Sequence, residues 1–149
     1  MAKEKILIHT DGGSRGNPGP SAVGVVIEIV DGTPAAIVKE YGEYIGHATN
    51  NEAEYQAVIF ALKKVKQLIG REKAGKSKVE IHVDSELLER QLNGHYKIES
   101  PKIQHLFLEL WNLKVDFDDV TFKHILRDKN KEADKLVNAV LDKETNKLF

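Results

Sequence analysis

The order of its strand-like and helical segments most restricts what this chain of 149 residues can fold into. Three strand patterns come first, at residues 4–10, 22–30 and 35–45. Helices and strands then alternate, with a helix over 50–69, a strand over 78–83, helices over 85–92 and 102–113, a strand over 119–125 and a helix from Asn130 to about residue 143. This order predicts an α/β fold, in which helices pack on the faces of a mixed sheet.

Local signals support several of these boundaries. Asp31-Gly32, between the second and third strands, predicts a hairpin turn. Thr49 followed by Glu52 forms a capping box for the long helix. Ser100 supplies an N-cap for the helix over 102–113, and Asn130 is predicted to cap the last helix. The glycine- and proline-rich segment 12–20 predicts a turn after the first strand.

Composition excludes several classes of protein. The absence of cysteine excludes disulfide scaffolds, thiolate zinc sites and cysteine nucleophiles. No apolar run approaches the roughly 18 residues of a membrane span, and the first residues lack the apolar stretch of a signal peptide. The sequence therefore predicts a single cytoplasmic domain over 1–149, without membrane contact.

Charge is balanced overall, with a formal net charge of −1, but it is segregated locally. Between residues 63 and 78 there are seven basic residues and one acid, whereas residues 109–119 carry four acids and one base. Such segregation suits a protein that offers one face to a polyanion. A solvated helix face followed by a loop is the more common cause of such a pattern and is favoured by charge alone, but both interpretations stay open.

Four carboxylates occupy the ends of predicted elements. Asp11 and Asp84 close the first and fourth strands, and Glu54 and Asp134 lie in the first turns of two helices. Each alone has an ordinary explanation, because acids favour helix N-termini and Asp11 before two glycines suits a turn. If the first and fourth strands are parallel neighbours, however, the acids meet at one sheet edge and repel one another unless cations neutralise them. Oxygen ligands of this kind suit Mg²⁺ or Mn²⁺.

Four segments, in this order and spanning nearly the whole chain, resemble type 1 ribonuclease H. They are TDGGSRGNPGPSAVGVVI (10–27), TNNEAEYQAVIFAL (49–62), VDSELLERQLNGHYKIESPKI (83–103) and HILRDKNKEADKLVN (124–138). The resemblance implies a ribonuclease H-like fold, whose five-stranded mixed sheet has three antiparallel strands, then two parallel ones, and helices on both faces. It also implies metal-dependent endonucleolytic hydrolysis of the RNA strand of RNA–DNA hybrids, which leaves a 3′-hydroxyl and a 5′-phosphate.

By this resemblance the metal ligands are Asp11, Glu54, Asp84 and Asp134, which would hold two Mg²⁺ ions, with Mn²⁺ as a substitute. Asp11 would bridge both ions, and Asp134 would share the ion that activates the attacking water. Glu54 and Asp84 would hold the ion near the leaving oxygen. Glu52, two residues before Glu54, is assigned to the capping box instead.

A histidine also matches the family pattern. His124 corresponds to a family histidine that is thought to assist proton transfer or product release, although a histidine at a strand end is more often structural. Asp128 lies nearer to His124, but the NKEAD context indicates Asp134 as the ligand.

Recognition of RNA requires contacts to 2′-hydroxyls in the minor groove. Glycine allows close backbone approach, and paired asparagines can donate and accept hydrogen bonds at groove edges. The residues predicted to bind substrate are Gly12, Gly13, Ser14, Arg15, Asn17, Thr49, Asn50 and Asn51. Of these, Thr49 matches a position that helps bind a phosphate of the DNA strand, while the asparagines can also cap the helix.

The chain also departs from the better-known bacterial pattern. Glu86 replaces a polar amide near the groove. The resemblance is to a compact form that lacks the basic protrusion and the hybrid-binding module, and a monomer is expected. Two alternatives stay open: additional cleavage of double-stranded RNA, and a catalytically silent nucleic-acid-binding domain on the same fold.

Overall fold

A computed structural model describes residues 5–30 and 37–147, in which five strands form one sheet. The strands are β1 (Lys5–Ser14), β2 (Gly19–Val30), β3 (Ile37–Ala48), β4 (Lys78–Val83) and β5 (Asp119–His124). Their order across the sheet is β3-β2-β1-β4-β5. Strands β1 to β3 pair antiparallel, whereas β4 pairs parallel with both β1 and β5. The predicted mixed sheet is confirmed.

Four α-helices accompany the sheet in this part of the chain: α1 (Asn50–Ala74), α2 (Glu86–Leu92), α3 (Pro101–Lys114) and α4 (Lys131–Lys147). The predicted capping box is present, since the Glu52 amide donates to Thr49 Oγ1 at 3.1 Å and the Thr49 amide donates to Glu52 Oε1 at 3.2 Å. A 3₁₀ turn over Arg127–Lys129 precedes α4. None of the helices described is long and apolar enough to span a bilayer.

Several boundaries differ from those predicted. Strand β1 does not end at Asp11 but continues to Ser14, because Gly12 and Gly13 pair with Val23 and Ala22 of β2. Helix α1 continues past residue 69 to Ala74 across a break at Gly70, whose φ of 85° suits glycine. The hairpin at Asp31-Gly32 lies outside the described residues.

Helices cover both faces of the sheet, and two neighbouring glycines of β1 show how closely. Successive strand residues point to opposite faces. A Cβ on Gly12 would overlap the Ala53 carbonyl of α1, whereas one on Gly13 would meet Val137 of α4 at 3.2 Å. The main core lies on the α1 side of the sheet and includes Ile8, Tyr55, Leu62, Ile81 and Leu110. A smaller cluster lies between β2 and α4 and consists of Ala22, Val137 and Leu141.

The segregated charges meet where α1 packs against α3. Lys63 Nζ lies 2.9 Å from Glu109 Oε1, and Lys66 Nζ lies 2.6 Å from Asp116 Oδ2. The basic residues of 63–78 and the acids of 109–119 therefore neutralise each other in part between these two helices.

Candidate active site

Two of the predicted acids come from neighbouring parallel strands. In the register of β1 and β4, Thr10 is the partner of Val83, and Asp11 and Asp84 are the residues that follow each of them. Both carboxylates thus emerge at the carboxyl edge of the sheet, where ligands of α/β folds commonly bind.

Glu54 reaches this edge because α1 lies unusually close to β1. Gly12 leaves room for the backbone of Ala53 and Glu54, which a side chain on β1 would displace. The Glu54 carboxylate hydrogen-bonds with Ser85, the residue after Asp84, so α1 is joined to the end of β4.

Asp134 comes from the opposite face, in the first turn of α4. Gly24 of β2 allows this approach, because a Cβ there would overlap the carbonyl oxygen of Ala133. The Asp134 carboxylate hydrogen-bonds with that of Asp11. Carboxylates from four separate elements therefore converge at one end of the sheet.

Burial and mutual repulsion raise the pKa values of two of these acids. Burial is the largest cause for Asp11, followed by the charges of Asp84, Asp134 and Glu54, and together they raise its pKa to about 8. Burial likewise raises the pKa of Glu54 to about 7, against the lowering effects of the Ser85 hydrogen bond and the Arg127 charge. Without a cation, Asp11 is therefore largely protonated at neutral pH.

The donor set fits a divalent cation. All four side chains offer hard oxygen donors, which suit Mg²⁺ or Mn²⁺ rather than zinc. Within the described ranges, no three His, Asp or Glu side chains already have the spacing of a closed metal site. The carboxylates thus line an acidic cleft, in which a cation would relieve the repulsion that raises the Asp11 pKa.

An open cleft of about 330 Å³ joins the acids to the turn after β1. Its walls include Asp11, Glu54 and Asp134. They also include five residues predicted to bind substrate, namely Gly12, Gly13, Ser14, Arg15 and Asn50. Asp84 lies beside the cleft, in a small space shared with Asp11 and Glu54.

Hydrogen bonds fix the turn between β1 and β2. The Ser14 amide donates to Asn50 Oδ1 at 2.8 Å, and the Asn50 amide donates to Asn17 Oδ1 at 3.0 Å. Arg15 forms a 2.6 Å ion pair with Asp142 of α4. In contrast, Asn51 Oδ1 is buried and has no hydrogen-bond partner in the described part of the chain. Thr49, not either asparagine, caps α1.

Two other residues considered from the sequence lie apart from the cleft. His124 is exposed at the end of β5, one strand beyond β4, and does not line the cleft. Asp128 lines a separate cavity of about 260 Å³, together with His9 and Glu28.

Asn130 lies directly before α4, as predicted, but its side chain has other partners than a helix cap would. Its side-chain amide donates to the Thr10 carbonyl oxygen at 2.8 Å and to Asp84 Oδ2 at 2.9 Å. Its Oδ1 atom has no partner among the described residues, so the prediction that this side chain caps α4 is wrong. Asparagine is common at helix N-termini, and no local signal distinguishes a cap from a contact with distant strands. Ser85, which hydrogen-bonds with Glu54, and Arg127, whose charge lowers the Glu54 pKa, were also missed.

Comparisons with known proteins agree with this geometry. Residues 9–140 match the reverse transcriptase-like family. The chain is 40% identical over 138 residues to ribonuclease HI of Halobacterium salinarum, covering 93% of this chain and 65% of the relative. It is 33% identical over 138 residues to a bifunctional protein of Mycobacterium tuberculosis, covering 93% of this chain but 36% of that protein. The chain thus spans less than two thirds of these curated relatives.

Two solved structures match this chain over nearly the whole length of both proteins. A complex of LC11-RNase H1 with an RNA/DNA hybrid superposes with a TM-score of 0.83 at 41% identity, covering 94% of this chain and 99% of that one. RNase H1 of Halobacterium salinarum gives a TM-score of 0.81 at 37% identity, covering 93% of this chain and 98% of that one.

Proposed function

Because this chain belongs to the type 1 ribonuclease H family, we propose that it hydrolyses the RNA strand of RNA–DNA hybrids. Cleavage is endonucleolytic and metal-dependent, and it leaves a 3′-hydroxyl and a 5′-phosphate. The similarity to LC11-RNase H1, whose structure contains an RNA/DNA hybrid, supports this substrate class.

The convergence of carboxylates from β1, α1, β4 and α4 carries the proposal. Asp11 and Glu54, with raised pKa values, share one open cleft with a turn that suits close backbone contact. A silent binding domain would gain nothing from four half-buried acids that repel one another.

Asp11, Glu54, Asp84 and Asp134 are the residues that would hold the metal. Bound Mg²⁺ or Mn²⁺ would supply an activated water and neutralise charge on the phosphate undergoing displacement. Arg127, whose charge lowers the Glu54 pKa, keeps that carboxylate more available as a ligand. Asn130 holds the Asp84 carboxylate in a fixed orientation through the 2.9 Å hydrogen bond.

The chain's own groups would distinguish RNA from DNA at the turn and at the start of α1. Gly12 and Gly13 have no side chain to exclude a sugar, and Asn50 holds the backbone of Ser14 in place. Asn51 Oδ1 is buried and unpaired, so the side chain of Asn51 would have to rotate towards the cleft before this acceptor could meet a 2′-hydroxyl. Thr49 and Arg15 would each contact a phosphate of the nucleic-acid backbone.

A cleavage assay tests the proposal. Labelled RNA–DNA, RNA–RNA and DNA–DNA duplexes of one sequence are incubated with Mg²⁺, Mn²⁺ or EDTA, and product ends are identified by ligation and phosphatase sensitivity. We expect cleavage of the hybrid RNA strand with either metal and none with EDTA. Asp11→Asn should be inactive, while Asp128→Asn, which changes an acid outside the cleft, should behave as wild type.

Other outcomes distinguish the alternatives. Comparable cleavage of RNA–RNA would extend the substrate range to double-stranded RNA. Hybrid binding without cleavage in either metal would indicate a silent binding domain and would contradict the proposal.

A further inference from the structure

Strand β3 leaves one long sheet edge open. It has 12 residues and pairs only with β2 in the described part of the sheet. Long open edges expose unpaired backbone groups and favour pairing with another strand. Two of its apolar side chains, Ile37 and Val38, are 48% and 53% exposed, which is unusual for an edge without a partner.

We propose that two copies of this chain pair through β3, antiparallel about a twofold axis at Tyr41, so that Lys39 of each copy faces Glu43 of the other. This inference replaces the monomer expected from the sequence, and it does not depend on the proposed enzymatic activity.

Charge complementarity selects this partner and this register. A twofold axis perpendicular to a continuous sheet keeps each side chain on the same face of the sheet in both copies. Two residues that lie opposite each other must therefore have numbers that differ by an even amount. Centring the axis on Tyr41 pairs Lys39 with Glu43 twice and Val38 with Tyr44 twice, within the regular part of β3 that ends at the bulge after Tyr44. In the described part of the chain, Lys39 and Glu43 have no ion-pair partner within their own copy.

Neighbouring registers are less favourable. A slip of two residues in one direction places Glu40 opposite Glu40 of the second copy, and like charges directly opposite are destabilising. A slip of two residues in the other direction places Glu43 opposite Tyr41 and removes both ion pairs. The charges on this edge thus oppose indiscriminate pairing but permit one symmetric arrangement.

On the sheet face that α4 packs against, the proposed pairing of β3 would also bring apolar side chains of the two copies together. A Cβ on Gly42 would lie 2.9 Å from Val140, so the even-numbered residues of β3 face α4. In the proposed register, Val38 of each copy lies opposite Tyr44 of the other, and Tyr44 is 40% exposed. Pairing would cover both side chains beside the partly buried Val140.

The helices leave room for this contact. Helix α4 packs chiefly over β2 and β3. With strands about 4.8 Å apart, two α4 helices centred over β2 would lie about 14 Å apart, beyond the 8–10 Å of direct helix packing. The regular residues 38–44 of each strand form a contact smaller than the standard of about 800 Å² per partner, so we expect a weak dimer in the micromolar range.

Sedimentation velocity of the full chain, from about 1 μM to 1 mM, tests for the dimer. Wild type should dimerise reversibly. Lys39→Glu and Glu43→Lys should each weaken dimerisation about tenfold or more, because both attractive pairs become repulsive. The double variant should recover it, and so should an equimolar mixture of the two single variants. Lys76→Glu, which makes the same charge change on an exposed residue outside β3, should match wild type.

Cross-linking tests the register, since the chain contains no cysteine. Val38→Cys mixed with Tyr44→Cys should form disulfide-linked dimers on mild oxidation, whereas neither variant alone should do so, because only opposed positions come within disulfide range. Circular dichroism and hybrid cleavage confirm that each variant is folded. A monomer at all concentrations, a dimer insensitive to both charge reversals, or cross-linking of either variant alone would each overturn the proposal.

Discussion

The side-chain amide of Asn130 donates a 2.9 Å hydrogen bond to Asp84 Oδ2 and thereby joins the start of α4 to the end of β4. The same nitrogen donates to the carbonyl oxygen of Thr10, one residue before Asp11. A single residue, 1% exposed, thus links the elements that carry three of the four carboxylates.

Replacing this residue should impair both stability and turnover. Asn130→Ala leaves the Thr10 carbonyl and one Asp84 oxygen without a donor, and unfolding free energy should fall by about 1–3 kcal/mol. We also expect kcat to fall more than KM rises, because Asp84 loses its fixed orientation. Urea unfolding and hybrid kinetics measure the two effects. Asn112→Ala, at an exposed position of α3, is the control, and equal behaviour of the two variants would contradict the positioning role.

The pKa of about 8 for Asp11 predicts how metal-free stability depends on pH. A carboxyl group whose pKa is higher in the folded state than its ordinary 3.8 binds more protons when folded. Stability should therefore fall as pH rises from about 4 towards 8. Asp11→Asn should flatten this dependence, hold or raise the melting temperature in EDTA, and lower the cleavage rate by orders of magnitude. A wild-type melting temperature in EDTA that rises across this range would contradict the assigned repulsion.

Two neighbouring glutamates should behave differently. Glu54→Gln should nearly abolish cleavage, because it removes a carboxylate from the cleft. Glu52→Gln should keep most of the activity, since glutamine can still accept from the Thr49 amide in the capping box. Steady-state kinetics with matched Mg²⁺ measures both. The reverse result would show that the ligand had been assigned to the wrong glutamate.

Two glycines of β1 offer a matched test of how α1 is positioned. Gly12→Ala would force a Cβ into the backbone of Ala53, so α1 must shift and carry Glu54 away from Asp11. We expect a loss of several kcal/mol in stability and a large loss of activity. Gly13→Ala meets only the tip of Val137, which can move, and should be tolerated far better. Equal effects would show that close packing at Gly12 does not position the site.

How much of this site could be predicted depends on how local each signal is. The capping box joins residues only three positions apart, and it was predicted correctly. Asp11 and Asp84 were placed at one edge because their strands were assumed to be parallel neighbours, which the register confirms. The role of Asn130 rests on contacts with residues 46 and 120 positions away.

The continuation of β1 past Asp11 was missed for a related reason. Glycine disfavours strands locally, but pairing of Gly12 and Gly13 with β2 overrides that preference. Likewise, the ion pairs of the basic segment were not predicted, because only the packing of α1 on α3 brings Lys63 and Lys66 to their acidic partners.

The remaining basic residues of that segment should not contribute to substrate binding. Helix α1 starts at the cleft with Asn50 and runs about 30 Å, at 1.5 Å per residue, to the break at Gly70, so Lys73 and Lys76 follow its far end. Lys78 begins β4, at the opposite end of that strand from Asp84. A variant with Lys73, Lys76 and Lys78 all changed to alanine should therefore keep the wild-type KM and salt dependence. Arg15→Ala, which changes a cation on the cleft wall, should raise KM and reduce the slope of log affinity against log salt by about 1. Measuring KM for a hybrid across salt concentrations separates the two variants. If the triple variant lowered the slope and Arg15→Ala did not, the hybrid would have to lie along α1 rather than across the acidic cleft.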